Sequence, residues 1–268
     1  MSASWCGCVA RMLRKLLSGA VLAVASVWPM QSLHAAEPLT IAAAADLRYA
    51  MDALIEDFHR LQAGDRPVAI YGSSGKFSTQ IENGAPFDLF FSADESYPMR
   101  LAQLGHAAST PRRYAQGRVV LWVPGKDLPP PLLTDLTQKR FDHIAMANPA
   151  HAPYGARARQ ALQRAGLWSA IESRIVYGEN VGQAAQLTYS GAADAALIAL
   201  ALVYGDELSG SGQFVLIDQS LHDPLWQAYI VTRRAAADPR AAAFAEFVSG
   251  AQGRALLARF GFALPKLD

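Results

Sequence analysis

The chain has 268 residues, 51% of them hydrophobic and 18% charged, enough to bury a sizeable core in one large domain or two small ones. Its 24 basic and 23 acidic side chains nearly cancel, which excludes the broad basic face that a nucleic acid partner requires. The two cysteines, Cys6 and Cys8, both lie near the start.

Residues 1–36 read as a cleaved signal peptide. Arg11, Arg14 and Lys15 form a positive head, Leu16 to Trp28 is an almost unbroken apolar run, and small residues end at Ala35-Ala36. The run is short for a membrane span and no basic stop-transfer flank follows it. Cleavage removes both cysteines, and with them disulfides, thiolate chemistry and cysteine zinc sites. It also removes three basic residues and no acidic one, leaving a net charge of −2. An exported, periplasmic protein fits this balance.

From there strands and helices alternate. Strands are predicted at Leu39–Ala44, Pro67–Tyr71, Asp88–Ser92 and Arg118–Val123, with helices at Leu47–Leu61, Gly75–Glu82 and Met99–Leu104 between them. The second half repeats the grammar: strands at His143–Ala147, Arg174–Tyr177, Ala193–Ile198, Phe214–Ile217 and Trp226–Thr232, with helices at Gly155–Ala165 and Val181–Tyr189. One or two helices close the chain between Arg240 and Phe260. Strands separated by such helices imply parallel βαβ units, and the duplication implies two α/β lobes. Pro129-Pro130-Pro131 reads as a stiff surface connection.

Four helix starts carry the chemistry. Ala45-Asp46 opens one helix, Gly72-Ser73-Ser74-Gly75 the next, Ala152-Pro153-Tyr154-Gly155 a third and Glu179-Asn180-Val181 a fourth. Each follows a strand, so in a parallel sheet all four lie at the carboxyl edge, where ligands bind. A helix start presents unpaired N–H groups and a partial positive charge, and so holds an anion without a cationic side chain. Taken singly, each turn is more often a plain helix cap; together, after strands, they outline an oxyanion site. The histidines have no ligand spacing, no serine elbow occurs, and Lys76 follows too short a loop for a nucleotide cradle. A secreted hydrolase is the reading from another class.

At these residues the chain resembles the molybdate-binding proteins of bacterial ABC transporters. The most specific stretch is Gly72-Ser73-Ser74-Gly75 followed by Gln80 to Glu95 (QIENGAPFDLFFSADE), and the Ala42–Leu47, Asn148–Gly155 and Glu179–Val181 segments match in order and spacing. The resemblance implies a type II periplasmic binding protein fold with the ligand in the inter-lobe cleft. The first lobe would comprise residues 37–117 and 222–268, and the second residues 118–221. It also implies molybdate or tungstate as ligand, no cofactor and no directly coordinated metal, an ABC transporter permease at the inner membrane as partner, and a monomer. By position, Ser74 should donate its hydroxyl and N–H, Tyr154 and Val181 their N–H groups, with Asp46, Ala45, Ser73 and Asn180 beside them.

Two positions depart from the family pattern. The first turn usually presents serine where this chain has Asp46, and a second-lobe tyrosine donor is replaced near Ala199. Asp46 could cap its own helix with the carboxylate turned away, act as a protonated donor, or accept from a protonated oxyanion such as hydrogen phosphate. Capping is the expectation, because aspartate is a strong cap residue. Phosphate or sulfate is the alternative ligand.

Overall fold

The computed structural model describes residues 37–62 and 64–266; the expected signal peptide lies outside the described residues. Among the described residues ten strands run in chain order: β1 Thr40–Ala44, β2 Val68–Gly72, β3 Leu89–Ser92, β4 Arg112–Gly117, β5 Val119–Pro124, β6 Ile144–Ala147, β7 Ile175–Gly178, β8 Ala195–Ala199, β9 Gly212–Leu216 and β10 Leu225–Val231. The α-helices are α1 Arg48–Leu61, α2 Ser74–Glu82, α3 Ser96–Gln103, α4 Pro153–Arg164, α5 Trp168–Ile171, α6 Val181–Tyr189, α7 Leu200–Val203, α8 Pro239–Ser249 and α9 Ala251–Arg259.

The strands form two five-stranded sheets with one plan. The first runs β2-β1-β3-β10-β4 and the second β7-β6-β8-β5-β9. In each, a central strand pairs in parallel with two neighbours, and the fourth strand runs antiparallel to both of its own. The sheets are therefore mixed, where the helix-strand alternation alone implied purely parallel units. The chain leaves the first sheet at Arg118, the single residue between β4 and β5, and returns between Leu216 and Leu225.

Local sequence explains most of the elements. On α1, Ala50, Met51, Leu54, Ile55 and Phe58 recur at helical spacing and are buried, while Asp52, Glu56, His59 and Arg60 face outward. Phe58 packs edge-on against Phe244 of α8 at 5.1 Å between ring centroids, which ties the C-terminal helices to the first sheet. The closing helical stretch breaks at Gly250, whose extended backbone (φ −76°, ψ 176°) separates α8 from α9. Strands β3, β6 and β8 are buried along their whole length, as expected for strands covered on both faces.

Candidate functional site

The four turns singled out in the sequence meet. Ala45 and Asp46 follow β1, Ser73 and Ser74 follow β2, Tyr154 lies in the turn after β6, and Asn180 and Val181 follow β7. All seven residues line one small cavity between the two sheets, whose enclosed space is about 10 Å³, room for about one water molecule and far below the range of ordinary cofactor pockets.

The walls offer donors rather than charges. Ser74, Tyr154 and Val181 stand in the first turns of α2, α4 and α6, and their N–H groups donate to no acceptor among the described residues. Ser74 Oγ accepts the Ala93 N–H at 2.9 Å, which fixes the hydroxyl and leaves its own proton to donate. Asn180 caps α6 by accepting the Gln183 N–H at 3.0 Å. Among the described residues no group of three or more His, Cys, Asp or Glu is placed to hold a metal ion.

Asp46 corrects the expectation made for it. It sits inside a 3₁₀ turn, Ala45–Leu47, and makes no capping bond. Its side chain instead points into the core, 1% exposed, where Oδ2 accepts from Gln227 Nε2 at 2.6 Å. Oδ1 is buried with no hydrogen-bond partner among the described residues. Burial pushes the carboxyl up from 3.8 to about 6, and hydrogen bonding, the Gln227 bond foremost, only partly opposes this. Gln227 Nε2 also donates to the Tyr154 hydroxyl at 3.3 Å, and the Tyr114 hydroxyl donates to Gln227 Oε1 at 2.6 Å. Burial and the adjacent carboxylate hold both phenols far above their ordinary range, so both are neutral donors.

A model of the bacterial extracellular solute-binding protein family matches residues 39–263. The chain belongs to that family. Within it, the molybdate-binding protein ModA of Azotobacter vinelandii is 31% identical over 92% of this chain and 98% of its own length. The ModA of Rhodobacter capsulatus is 33% identical over 75% of this chain and 79% of its own. A solved structure, the periplasmic molybdate-binding protein of Azotobacter vinelandii, superposes with a TM-score of 0.80 at 32% identity, covering 85% of this chain and all of the other.

In this solute-binding protein the two sides of the cleft also touch outside the cavity. The Gly75 N–H donates to the His151 carbonyl at 3.0 Å, and a Cβ on Gly75 would lie 2.7 Å from that oxygen, so only glycine permits the approach. Ser73 Oγ lies 3.0 Å from His151 Nδ1, and His151 Nε2 lies 3.4 Å from Glu179. The order serine, histidine, carboxylate resembles a catalytic line, yet Lys76 Nζ holds the same Glu179 oxygen at 2.5 Å, and its bond keeps that carboxyl below the usual range. Arg157 of α4 reaches Asp94 after β3 at 3.0 Å. These contacts form a latch between the sheets. Sequence reasoning missed Gln227 and Tyr114; the one available signal was a lone glutamine inside the apolar run Leu225–Val231. Ala199 ends β8 as a fully buried strand residue and does not line the cavity.

Proposed function

We propose that this solute-binding protein captures molybdate, with tungstate as its isostructural substitute, and hands it to a membrane ABC transporter. The observation that carries this reading is the convergence of three unused helix-start N–H groups and the Ser74 hydroxyl on one small cavity. The names of the similar proteins from Azotobacter vinelandii and Rhodobacter capsulatus support the same ligand. Ser74, Tyr154 and Val181 donate to the ion, Asp46 meets it from the β1 turn, and Ala45, Ser73 and Asn180 complete the wall.

Each sheet with its helices acts as a lobe, and the two close on the ion by a hinge motion about the crossing segments. The ion is cargo, no cofactor takes part, and a monomer suffices. The protein works in the periplasm after loss of residues 1–36, and it captures without turnover.

Neutral donors matter because the ion is a dianion. An ionised carboxylate about 4 Å from it would be repelled by about 8 kcal/mol at an effective dielectric constant near 20. Titration calorimetry with molybdate, tungstate, sulfate and phosphate tests the reading. Tight, stoichiometric molybdate binding is expected; phosphate binding without molybdate binding, or turnover of a phosphorylated substrate, would overturn it.

A further inference from the structure

We propose that Asp46 must carry a proton for the ion to enter, so that each molybdate captured brings one proton from solution into the cleft. The inference rests on the molybdate reading and deepens it. Three observations converge on the same carboxyl. It belongs to the cavity lining, in the turn that faces Ser74, Tyr154 and Val181. One of its oxygens is already engaged by Gln227, while Oδ1 is buried and unpartnered, so a proton on Oδ1 has no acceptor inside the protein. A dianion arriving in the cavity lies beside this carboxyl, and a proton on it removes the one negative charge among the side chains of the cavity wall.

The surroundings leave the proton no other source and the charge no other neutraliser. The titratable side chains beside the carboxyl are Tyr154 at the start of α4 and Tyr114 on β4, both held neutral. Arg48 and Tyr49 of α1, Tyr71 of β2 and Glu179 before α6 line a separate, adjacent cavity. Helices α6 and α7, which also pack on the Asp46 turn, carry no charged residue. Among the described residues no cation reaches Asp46. Proton uptake is the remaining way to remove its charge before a dianion binds.

A hydrogen phosphate ion behaves differently, because it brings its own proton and can donate it to an ionised Asp46. Proton stoichiometry therefore separates the two ligand chemistries at one residue.

The test is calorimetric binding of molybdate to the whole protein, at several pH values, in pairs of buffers with different ionisation enthalpies. The carboxyl titrates at about 6, so above that pH the affinity is expected to fall about tenfold per pH unit. Uptake should approach one proton per ion by about pH 8, and both effects should fade below about pH 5. Asp46→Asn, which keeps a donor at the same position, should abolish the uptake and bind on the order of 100-fold more tightly than wild type at about pH 8. Molybdate binding with a flat pH profile and no proton uptake overturns the inference and leaves the molybdate reading standing. Absence of molybdate binding at every pH overturns both. The wild-type proton count decides the matter even where the variant folds poorly.

Discussion

Gln227 Nε2 donates to Asp46 Oδ2 at 2.6 Å, joining residues 181 positions apart in the chain. The bond links the returning strand β10 to the turn after β1, beside the cavity, and the same amide nitrogen reaches Tyr154 on the second side of the cleft. One side chain thus holds the floor of the cavity to both sheets. Replacing it by Leu leaves Asp46, Tyr114 and Tyr154 buried without their shared partner. The expected loss is about 1–3 kcal/mol of unfolding free energy, measured by urea denaturation, with a larger loss at about pH 7 than at about pH 5, where Asp46 is mostly protonated.

Asp46 itself should make the empty protein less stable at neutral pH. Its folded pKa, about 6, exceeds the ordinary value of 3.8, so between those values the native state holds a proton that the unfolded chain has lost. The favourable contribution is full below about pH 4 and is lost as pH rises through about 6. Asp46→Asn is therefore expected to stabilise the ligand-free protein by on the order of 3 kcal/mol at about pH 7 and by little at about pH 4. Thermal melts across that range check the sign; equal shifts at both ends would contradict it.

Ser74→Ala removes the only side-chain hydroxyl we assign to the ion and leaves the Ala93 N–H without its acceptor. Molybdate affinity should fall about 10- to 100-fold, equivalent to one hydrogen bond to a charged group. Stability should fall by about 1 kcal/mol, which a parallel melt separates from the binding loss.

The latch across the cleft should divide into a weak and a strong part. Lys76 and Glu179 are about half exposed, so Glu179→Gln is expected to change molybdate affinity by less than about fivefold and to do so less at high salt. Gly75→Ala is different, because its Cβ would meet the His151 carbonyl at 2.7 Å. That backbone cannot yield as a side-chain tip would. The variant should fold normally but close poorly, with affinity reduced at least about tenfold and a larger radius in X-ray scattering when molybdate is present.

Much of the site is legible in the amino-acid sequence. The turns after β1, β2, β6 and β7 can be read because aspartate, glycine, serine or asparagine follows an apolar run, and chain direction puts all such turns at one edge. Strand β4, Arg112–Gly117, is hidden because its sequence, RRYAQG, is polar and it sits at the margin of its sheet. The antiparallel β10 reads as a strand, but its direction depends on a connection that periodicity does not encode. Asp46 misleads for the same reason at smaller scale. Cap preference is a local tendency, and it loses to a partner 181 residues away and to complete burial.

The position of β10 has a consequence for how the molecule is made. It lies between β3 and β4, so the last strand to be synthesised is an interior strand of the first sheet. Until it arrives, β4 has no strand of this sheet to pair with. The second sheet, by contrast, takes all five of its strands from one uninterrupted stretch, Val119–Leu216. It can therefore mature while the N-terminal part waits, and a ribosome that stalls short of Leu225 would release a chain with one finished half and one open seam.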